Sequence, residues 1–308
     1  MKAIVTGGAG FIGSHIAEKL SDSGYSLTII DNMHSGDIHN LGRIKGKYEL
    51  VKGDSYVIQN QEKADAVFHE GIYSSTPMYR KDPSLVGKAI TDFIAVLEYC
   101  RKNDVKLVFA STSSIYNGYE PPHRETMTPK VKDFYTEARY PMERLADLYS
   151  QMYGLKYCAL RYFSVYGDGE ESKKTYANMV SQIIWKGILD KELIIYGDGS
   201  QRRDLVNVAD VTEANIMAHN KDVTGVFNIG GGKSHTFNQI IELVGQKLGK
   251  DIKVKYTENP LKNYVEVVEA DTEKMKKILG FTPVVSIDEG INRAIAYYRR
   301  LDSVPDIF

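Results

Sequence analysis

The sequence predicts an α/β protein: a doubly wound parallel sheet followed by a smaller mixed α/β lobe. Three observations carry this expectation. Short β-branched runs alternate with helical patterns through the first half. A glycine-rich turn separates the first run from the first helix, and an acidic residue closes the second run. Ala3-Ile4-Val5-Thr6 reads as the first strand, and Phe11 to Ser23 as a helix with Ile12, Ile16, Ala17 and Leu20 on one face. Ser26 to Ile30 is the next strand and ends at Asp31; Tyr48 to Lys52 and Ala66 to His69 follow. Ser84 to Arg101 reads as a helix with Pro83 near its start. Lys106 to Ala110 is a strand, Tyr135 to Tyr153 a helix and Tyr157 to Tyr162 a strand. Strands alternating with helices in this way build right-handed βαβ units.

After Arg161 the pattern changes. Asp168 to Thr175 is polar with charges of both signs and reads as a loop, and Ala177 to Gly187 as an amphipathic helix. Gly-rich turns at Gly197-Asp198-Gly199 and Gly230-Gly231-Gly232 separate short strands from helices near Asn238–Leu248 and Asp288–Arg299. No repeat or low-complexity tract is visible.

Composition narrows the function. With 39 Lys+Arg against 40 Asp+Glu, the formal net charge is −1, so the basic surplus of a sequence-independent nucleic-acid binder is missing. A 43% hydrophobic and 26% charged chain is that of a globular protein rather than a disordered one. No apolar run reaches the roughly 18 residues of a membrane span, and the N-terminus lacks a signal-peptide core. Two cysteines, Cys100 and Cys158, make no disulfide framework. A cytoplasmic location, without membrane or nucleic-acid partners, is expected. The 7 His are scattered, without Cys-x-x-Cys or His-x-x-x-His spacing, so no metal site is expected.

Gly7, Gly10 and Gly13 form G-x-x-G-x-x-G around Phe11 and Ile12, between the first strand and helix. Gly7 permits the tight turn, Gly10 lets the backbone approach a pyrophosphate, and Gly13 lets the helix pack close to the sheet. The helix N-terminus then offers unpaired N–H groups to phosphate. Asp31, 18 residues past Gly13, stands where an acid meets an adenosine ribose. Its carboxylate favours NAD over NADP, because a 2′-phosphate would be repelled; His34, Arg43, Lys45 and Lys47 nearby could soften the preference, so NADP stays possible. Asn32 is grouped with this site. Asp54 could meet the adenine amino group or simply cap its loop. Residues 1–163 are therefore expected to form the Rossmann dinucleotide-binding domain and 164–308 the substrate lobe, with a segment near 203–228 returning to the first domain.

Thr6–Ser14, Leu107-Val108-Phe109-Ala110-Ser111-Thr112-Ser113-Ser114-Ile115-Tyr116 and Leu160-Arg161-Tyr162-Phe163-Ser164-Val165-Tyr166-Gly167 resemble the extended short-chain dehydrogenase/reductase family, the NAD(P)-dependent nucleotide-sugar epimerases and dehydratases. His69-Glu70-Gly71-Ile72-Tyr73-Ser74-Ser75-Thr76 is most similar to the ADP-L-glycero-D-manno-heptose 6-epimerases, as are Arg202-Arg203-Asp204-Leu205, Gly225–Gly230 and Pro260–Tyr264. The UDP-glucose 4-epimerases come next. The resemblance covers nearly the whole chain. It implies a nucleotide-diphosphate sugar as substrate, oxidised transiently to a keto sugar and re-reduced on its other face. It also places His69, Glu70 and Gly71 beside the cofactor.

The resemblance further implies a tyrosine acid/base in a Tyr-x-x-x-Lys turn, with a lowered pKa. Here Tyr135-Thr136-Glu137-Ala138-Arg139 stands in that place, with Arg139 at the lysine position holding the nicotinamide ribose. Arg keeps its charge permanently and can fork two hydrogen bonds, but it is bulkier than Lys. Tyr140 with Arg144 is the rival register. Thr112 matches the catalytic Ser/Thr, with Ser111 and Ser113 as alternatives if the register slips by one. Ser113 and Ser114 replace the Asp-Glu pair of the 4,6-dehydratases, which argues for epimerisation rather than elimination. Lys173 falls where heptose 6-epimerases carry a second catalytic lysine; a solvated loop lysine is the plain alternative. Arg203 is the implied substrate phosphate ligand, with Ser164, Asn178 and Tyr264 at matching positions. The family commonly forms homodimers through the helices at Ser84–Arg101 and Tyr135–Tyr153, with Tyr99, Tyr149 and Met152 as candidates for that face. A UDP-hexose 4-epimerase would use Thr112 and Tyr135 without Lys173. A dinucleotide sensor that has lost turnover through Arg139 is the non-catalytic alternative.

Overall fold

The computed structural model describes residues 1–260 and 265–307. The chain runs β1 (Lys2–Thr6), α1 (Phe11–Asp22), β2 (Ser26–Asp31), β3 (Tyr48–Lys52), β4 (Ala66–His69), α2 (Thr76–Lys81), α3 (Leu85–Asn103) and β5 (Leu107–Thr112). It continues with α4 (Phe134–Tyr153), β6 (Tyr157–Tyr162), β7 (Ser164–Tyr166), α5 (Met179–Leu189), β8 (Leu193–Tyr196), β9 (Arg202–Asn207), α6 (Val208–Asn220) and β10 (Gly225–Ile229). Last come β11 (Ser234–Thr236), α7 (Phe237–Leu248), β12 (Val254–Thr257), β13 (Val267–Val268) and α8 (Ile287–Tyr298). The expected strands and long helices are present with ends shifted by a residue or two. The sequence pattern had not shown the short helix α2 or the helix α6.

Seven strands form one all-parallel sheet in the order β10-β6-β5-β4-β1-β2-β3. The order reverses at β1/β4, and the crevice at their C-terminal ends is where a doubly wound sheet takes its ligand. The strands are buried on both faces because helices cover both. Phe68, Val108, Leu160 and Phe227 pack with α1 and α6 on one side; Val67, Leu107, Phe109 and Ala159 pack with α3 and α4 on the other. The chain after residue 164 does not stay in one lobe: α6 packs on α1, and β10 joins the large sheet beside β6. The small lobe gathers β7, β9, β11 and β13 in one sheet and β8 with β12 in another, around a core that includes Trp185, Phe237, Val244 and Tyr298.

α4 begins with a capping box, Asp133 accepting the Thr136 amide, and ends at Gly154 in the left-handed conformation. Its buried face carries Glu143, which receives both Nε (2.9 Å) and Nη2 (2.6 Å) of Arg161 on β6. Ser111 on β5 donates to the same carboxylate at 2.5 Å. The third arm of Arg161 reaches the Tyr116 hydroxyl at 2.6 Å, which donates to Asn228 of β10 at 2.8 Å. One network thus fixes α4 against β5, β6 and β10. Tyr99, considered for a subunit face, is instead buried, its hydroxyl bonded to Glu62 O at 2.5 Å. Tyr149 is half-buried and donates to Glu98, whereas Met152 is exposed.

Breaking a buried pair from one side leaves an uncompensated charge. Glu143→Ala should lower the unfolding free energy by about 3–5 kcal/mol in urea denaturation at pH 7. A loss under about 1 kcal/mol, the value of an exposed pair, would show that the network does not anchor α4.

Candidate functional site

A cleft enclosing about 1520 Å³, counting its open mouth, runs along the C-terminal ends of the large sheet. At one end lies the β1–α1 turn. Gly7 has φ +67, and a Cβ there would stand 2.6 Å from Glu70 C and Gly71 N. A Cβ on Gly13 would stand 2.1 Å from Gly7 O. The turn therefore closes only with glycine, and the bare backbone at Gly10–Gly13 lines the cleft together with Phe11 and Ile12.

Asp31, at the end of β2, is buried and lines the cleft. Its carboxylate accepts the amides of Ala9 (3.0 Å) and Met33 (2.7 Å). Burial raises its pKa, and these backbone hydrogen bonds oppose the rise. Asn32 donates to Asp54 at 2.7 Å, and Lys88 of α3 donates to the other Asp54 oxygen at 2.5 Å. The Lys88 and Asn32 hydrogen bonds outweigh burial and hold Asp54 below the usual carboxylate range. Asp54 thus lines the cleft with both oxygens already engaged. Arg43 is not among the residues lining the cleft; its Nη1 lies 3.2 Å from Asp168 and 2.9 Å from His15.

The other end holds the chemistry-bearing groups. Thr112 closes β5; its Oγ1 accepts the Ser114 amide at 3.1 Å, which leaves its O–H to donate. Tyr135 opens α4, and the Arg139 guanidinium lies 5.0 Å from its ring. Arg139 is buried and donates to Ala110 O (3.0 Å) and Tyr73 O (3.3 Å), while its Nε has no partner among the described residues. Thr112, Tyr135 and Arg139 all line the cleft. Ser111 and Ser113 line it too, but the Ser111 hydroxyl is held by Glu143. Tyr140 packs instead against the cluster of Ile115, Tyr116, Phe163, Val268 and Ala270, and Arg144 is exposed; neither lines the cleft. A wall of rings in edge contact, His34–Tyr73 (4.8 Å), Tyr73–Tyr79 (6.3 Å) and Tyr79–Tyr135 (5.7 Å), links the two ends.

Glu70 and Gly71 line the cleft floor. Tyr162 donates to Glu70 at 2.8 Å, and Asn215 of α6 donates to Tyr162 at 2.8 Å. Burial pushes the Glu70 carboxyl up to about 8, against the opposing effects of Tyr162 and Arg139. His69 does not line the cleft. It lies behind it on β4, bonded to Thr6 Oγ1 at 2.7 Å, and burial pushes its pKa down to about 3.

Lys173, Ser164 and Asn178 enter the cleft from the small lobe. The Lys173 Nζ donates to the buried Glu170 at 2.8 Å. Asn178 caps α5 through Val180 N and donates to Val165 O at 3.0 Å. Arg203 lies outside the cleft lining, donating to the Arg202 and Glu266 carbonyls and packing 5.4 Å from the Phe237 ring. Tyr264 lies outside the described residues. Sequence reasoning passed over Tyr73, Tyr176, Lys88 and the His15–Arg43–Asp168 cluster. The only sequence signal for the last was a histidine one turn after Phe11 on the buried face of α1. No group of His, Cys, Asp or Glu that could hold a metal occurs among the described residues, nor does a helix long and apolar enough to cross a membrane.

A profile of the NAD dependent epimerase/dehydratase family matches residues 3–230. A putative UDP-glucose 4-epimerase of Methanocaldococcus jannaschii is 33% identical over 311 residues, covering 96% of this chain and 98% of that protein. The structure of a UDP-glucose 4-epimerase from Thermotoga maritima, with UDP-glucose, matches with a TM-score of 0.91 at 33% identity, over 97% of this chain and 99% of that one. The ADP-L-glycero-D-manno-heptose-6-epimerase of Helicobacter pylori matches with a TM-score of 0.88 at 25% identity, over 97% and 96%.

Glu70 gives the cleft a measurable pH signature. A carboxyl raised from 4.5 to about 8 makes the folded protein bind more protons than the unfolded chain between those values. Its contribution to stability therefore falls as pH rises through that window. Glu70→Gln should flatten this part of the pH dependence in denaturation series from pH 5 to 9. Parallel wild-type and variant series would show that Glu70 is ionised in the folded protein.

Proposed function

The chain belongs to the NAD dependent epimerase/dehydratase family, and on that premise we propose that it is a nucleotide-sugar epimerase, with inversion at C4 of a UDP-hexose as the best-supported reaction. The observation that carries the proposal is the meeting of Thr112, Tyr135 and Arg139 at one end of the cleft whose other end is the Gly7–Gly13 cradle.

The residues fit a dinucleotide. The cradle leaves backbone where a Cβ would collide, Asp31 stands ready for ribose hydroxyls, and the buried Arg139 Nε lacks a partner. Gly10–Gly13 and the start of α1 would hold the pyrophosphate, Asp31 the adenosine ribose, and Arg139 the nicotinamide ribose. NAD, when bound, supplies a hydride acceptor that becomes the donor for the return step. The protein's own part is proton handling. Tyr135 Oη takes the proton of the reacting sugar hydroxyl as its carbon is oxidised and returns it when the ketone is reduced from the other face. Thr112 donates its free O–H to the same oxygen, holding it as hydroxyl and then as ketone. Arg139 keeps a fixed positive charge against the Tyr135 ring, where a lysine would present a mobile one.

Lys173 separates the two enzyme readings. Its ammonium is ion-paired with a buried carboxylate, an arrangement that a second base would have to give up, which supports the mechanism with one tyrosine. The heptose-type reading rests on the presence of that same lysine in the cleft and on the His69–Thr76 segment. Exposed Ile94, Leu148 and Met152 on the outer faces of α3 and α4 support a homodimer across those helices.

Tyr135→Phe should retain NAD binding by calorimetry and lower epimerisation of UDP-glucose by about 10²–10⁴. Activity within a few-fold of wild type would remove Tyr135 from the acid/base role. Lys173→Met should leave turnover of UDP-glucose within a few-fold of wild type; its abolition, with one half-reaction surviving as partial cofactor reduction, would instead establish the two-base reading. NAD should bind more tightly than NADP, and Asp31→Ala should erode that difference; a wild-type preference for NADP would refute the role given to Asp31.

A further inference from the structure

Residues 167–178 form a strap that leaves β7, lies along the cleft and enters α5. The small lobe grips it at both ends. Tyr298 donates to Gly167 O at 2.8 Å, and Tyr297 donates to Glu171 Oε1 at 2.6 Å. The buried Glu170 accepts the Asn178 amide at 2.8 Å, the Ser181 hydroxyl at 2.6 Å and Lys173 Nζ at 2.8 Å.

The strap is also tied to the dinucleotide domain. Arg43 Nη1 lies 3.2 Å from Asp168 Oδ2, and Ser172 donates to Ser35 O at 2.8 Å. Gly169, at φ +86, lies flush against the guanidinium: a Cβ there would stand 2.6 Å from Arg43 Nη2. Arg43 Nη1 is also 2.9 Å from His15 Nε2, and His15 Nδ1 is 2.8 Å from Phe11 O. His15 Nε2 also lies 3.4 Å from Asp168 Oδ2, so the imidazole bridges Phe11 O to both members of the Arg43–Asp168 pair. A continuous chain therefore joins the strap to Phe11, the first residue of α1 at the cradle. Burial works to raise the Asp168 carboxyl, but His15 and Arg43 outweigh it and hold Asp168 well below the usual carboxylate range. Across this junction, Lys173 and Tyr176 of the strap line the cleft with Gly10–Gly13, and Lys173 Nζ lies 5.6 Å from the Phe11 ring.

We propose that Arg43, Asp168 and His15 form an interlobe latch that holds the 167–178 strap closed along the phosphate cradle and sets the rate at which the dinucleotide enters and leaves. The role rests on the reading that the cradle binds NAD. The strap's grip on the small lobe does not involve Arg43 or the Asp168 side chain, so the latch can open while the strap stays attached to its own lobe. Arg43, Asp168 and His15 are positioning residues: they act through the strap and meet no reacting atom.

Two measurements on the full chain test this. Amide hydrogen exchange in the protein without added dinucleotide should be faster across 168–177 in Arg43→Ala and Asp168→Asn than in wild type, with β4 and β5 unchanged. Stopped-flow release of NAD should be about ten-fold faster in both variants, the order expected for one lost charge-assisted hydrogen bond. Arg43→Lys, which keeps the charge on a shorter, non-planar head, should fall between. Asp168→Asn preserves shape and guards against misfolding of Arg43→Ala. Faster exchange with release within two-fold of wild type overturns the gating role, and unchanged exchange overturns the latch itself. Failure of the wild type to bind NAD overturns the cofactor reading, and the gating role with it.

Discussion

The Glu143–Arg161 pair is the constraint on which the arrangement of the cleft depends. It lies in the interior, where two charges are costly to desolvate, and their mutual attraction repays that cost only with good geometry and further hydrogen bonds. The geometry is bidentate, and Ser111 and Tyr116 supply the additional bonds. Its consequence is positional. Glu143 belongs to the helix that carries Tyr135 and Arg139, Ser111 precedes Thr112 on β5, and Arg161 leads on β6 to Tyr162, which holds Glu70. The acid/base candidate, its hydroxyl partner and the cleft floor are therefore referred to one rigid point below the site.

The carboxylates in and beside the cleft fall into two electrostatic groups. Asp54 and Asp168 are held below the usual carboxylate range by what surrounds them: Asp54 by Lys88 and Asn32, Asp168 by His15 and Arg43. Asp31 and Glu70 form the second group: burial raises both, and it pushes the Glu70 carboxyl towards the protonated form at neutral pH. Arg139 is the fixed cation beside Tyr135, tied to two backbone carbonyls. Its ties to Ala110 O and Tyr73 O give the guanidinium a structural task that a lysine could fill only in part. This is the physical content of the departure from the usual lysine.

The strap adds the small lobe to this frame. Lys173 is placed by Glu170, and the strap that carries both is placed by contacts on either side of the cleft. The small lobe thus reaches the dinucleotide domain through a few long-range polar contacts as well as through the returning α6 and β10. Such contacts are directional and few, which allows them to define a closed arrangement without making it permanent.

The sequence by itself determined the doubly wound sheet, the Gly7–Gly13 turn and the acid at the end of β2. These are local facts: the period of apolar residues, the φ that only glycine tolerates and the spacing along one βαβ unit survive without any distant partner. A resemblance carried by short motifs pointed to Thr112, Tyr135 and Arg139 as well, because each motif lies within one element or turn. The helix α6 escaped notice because its apolar residues spread around it, buried between α1 and the sheet, and leave no single stripe to read. Only the tertiary structure decided which polar side chains meet. His69 went behind the cleft, Arg203 turned to carbonyls and the Phe237 ring, Asp54 was taken by Lys88, and Arg43 was taken by His15 and Asp168 across separations of 28 and 125 residues. A charged side chain goes to whichever partner the packed backbone brings within about 3 Å, and that choice is made by the whole fold rather than by any segment of the chain.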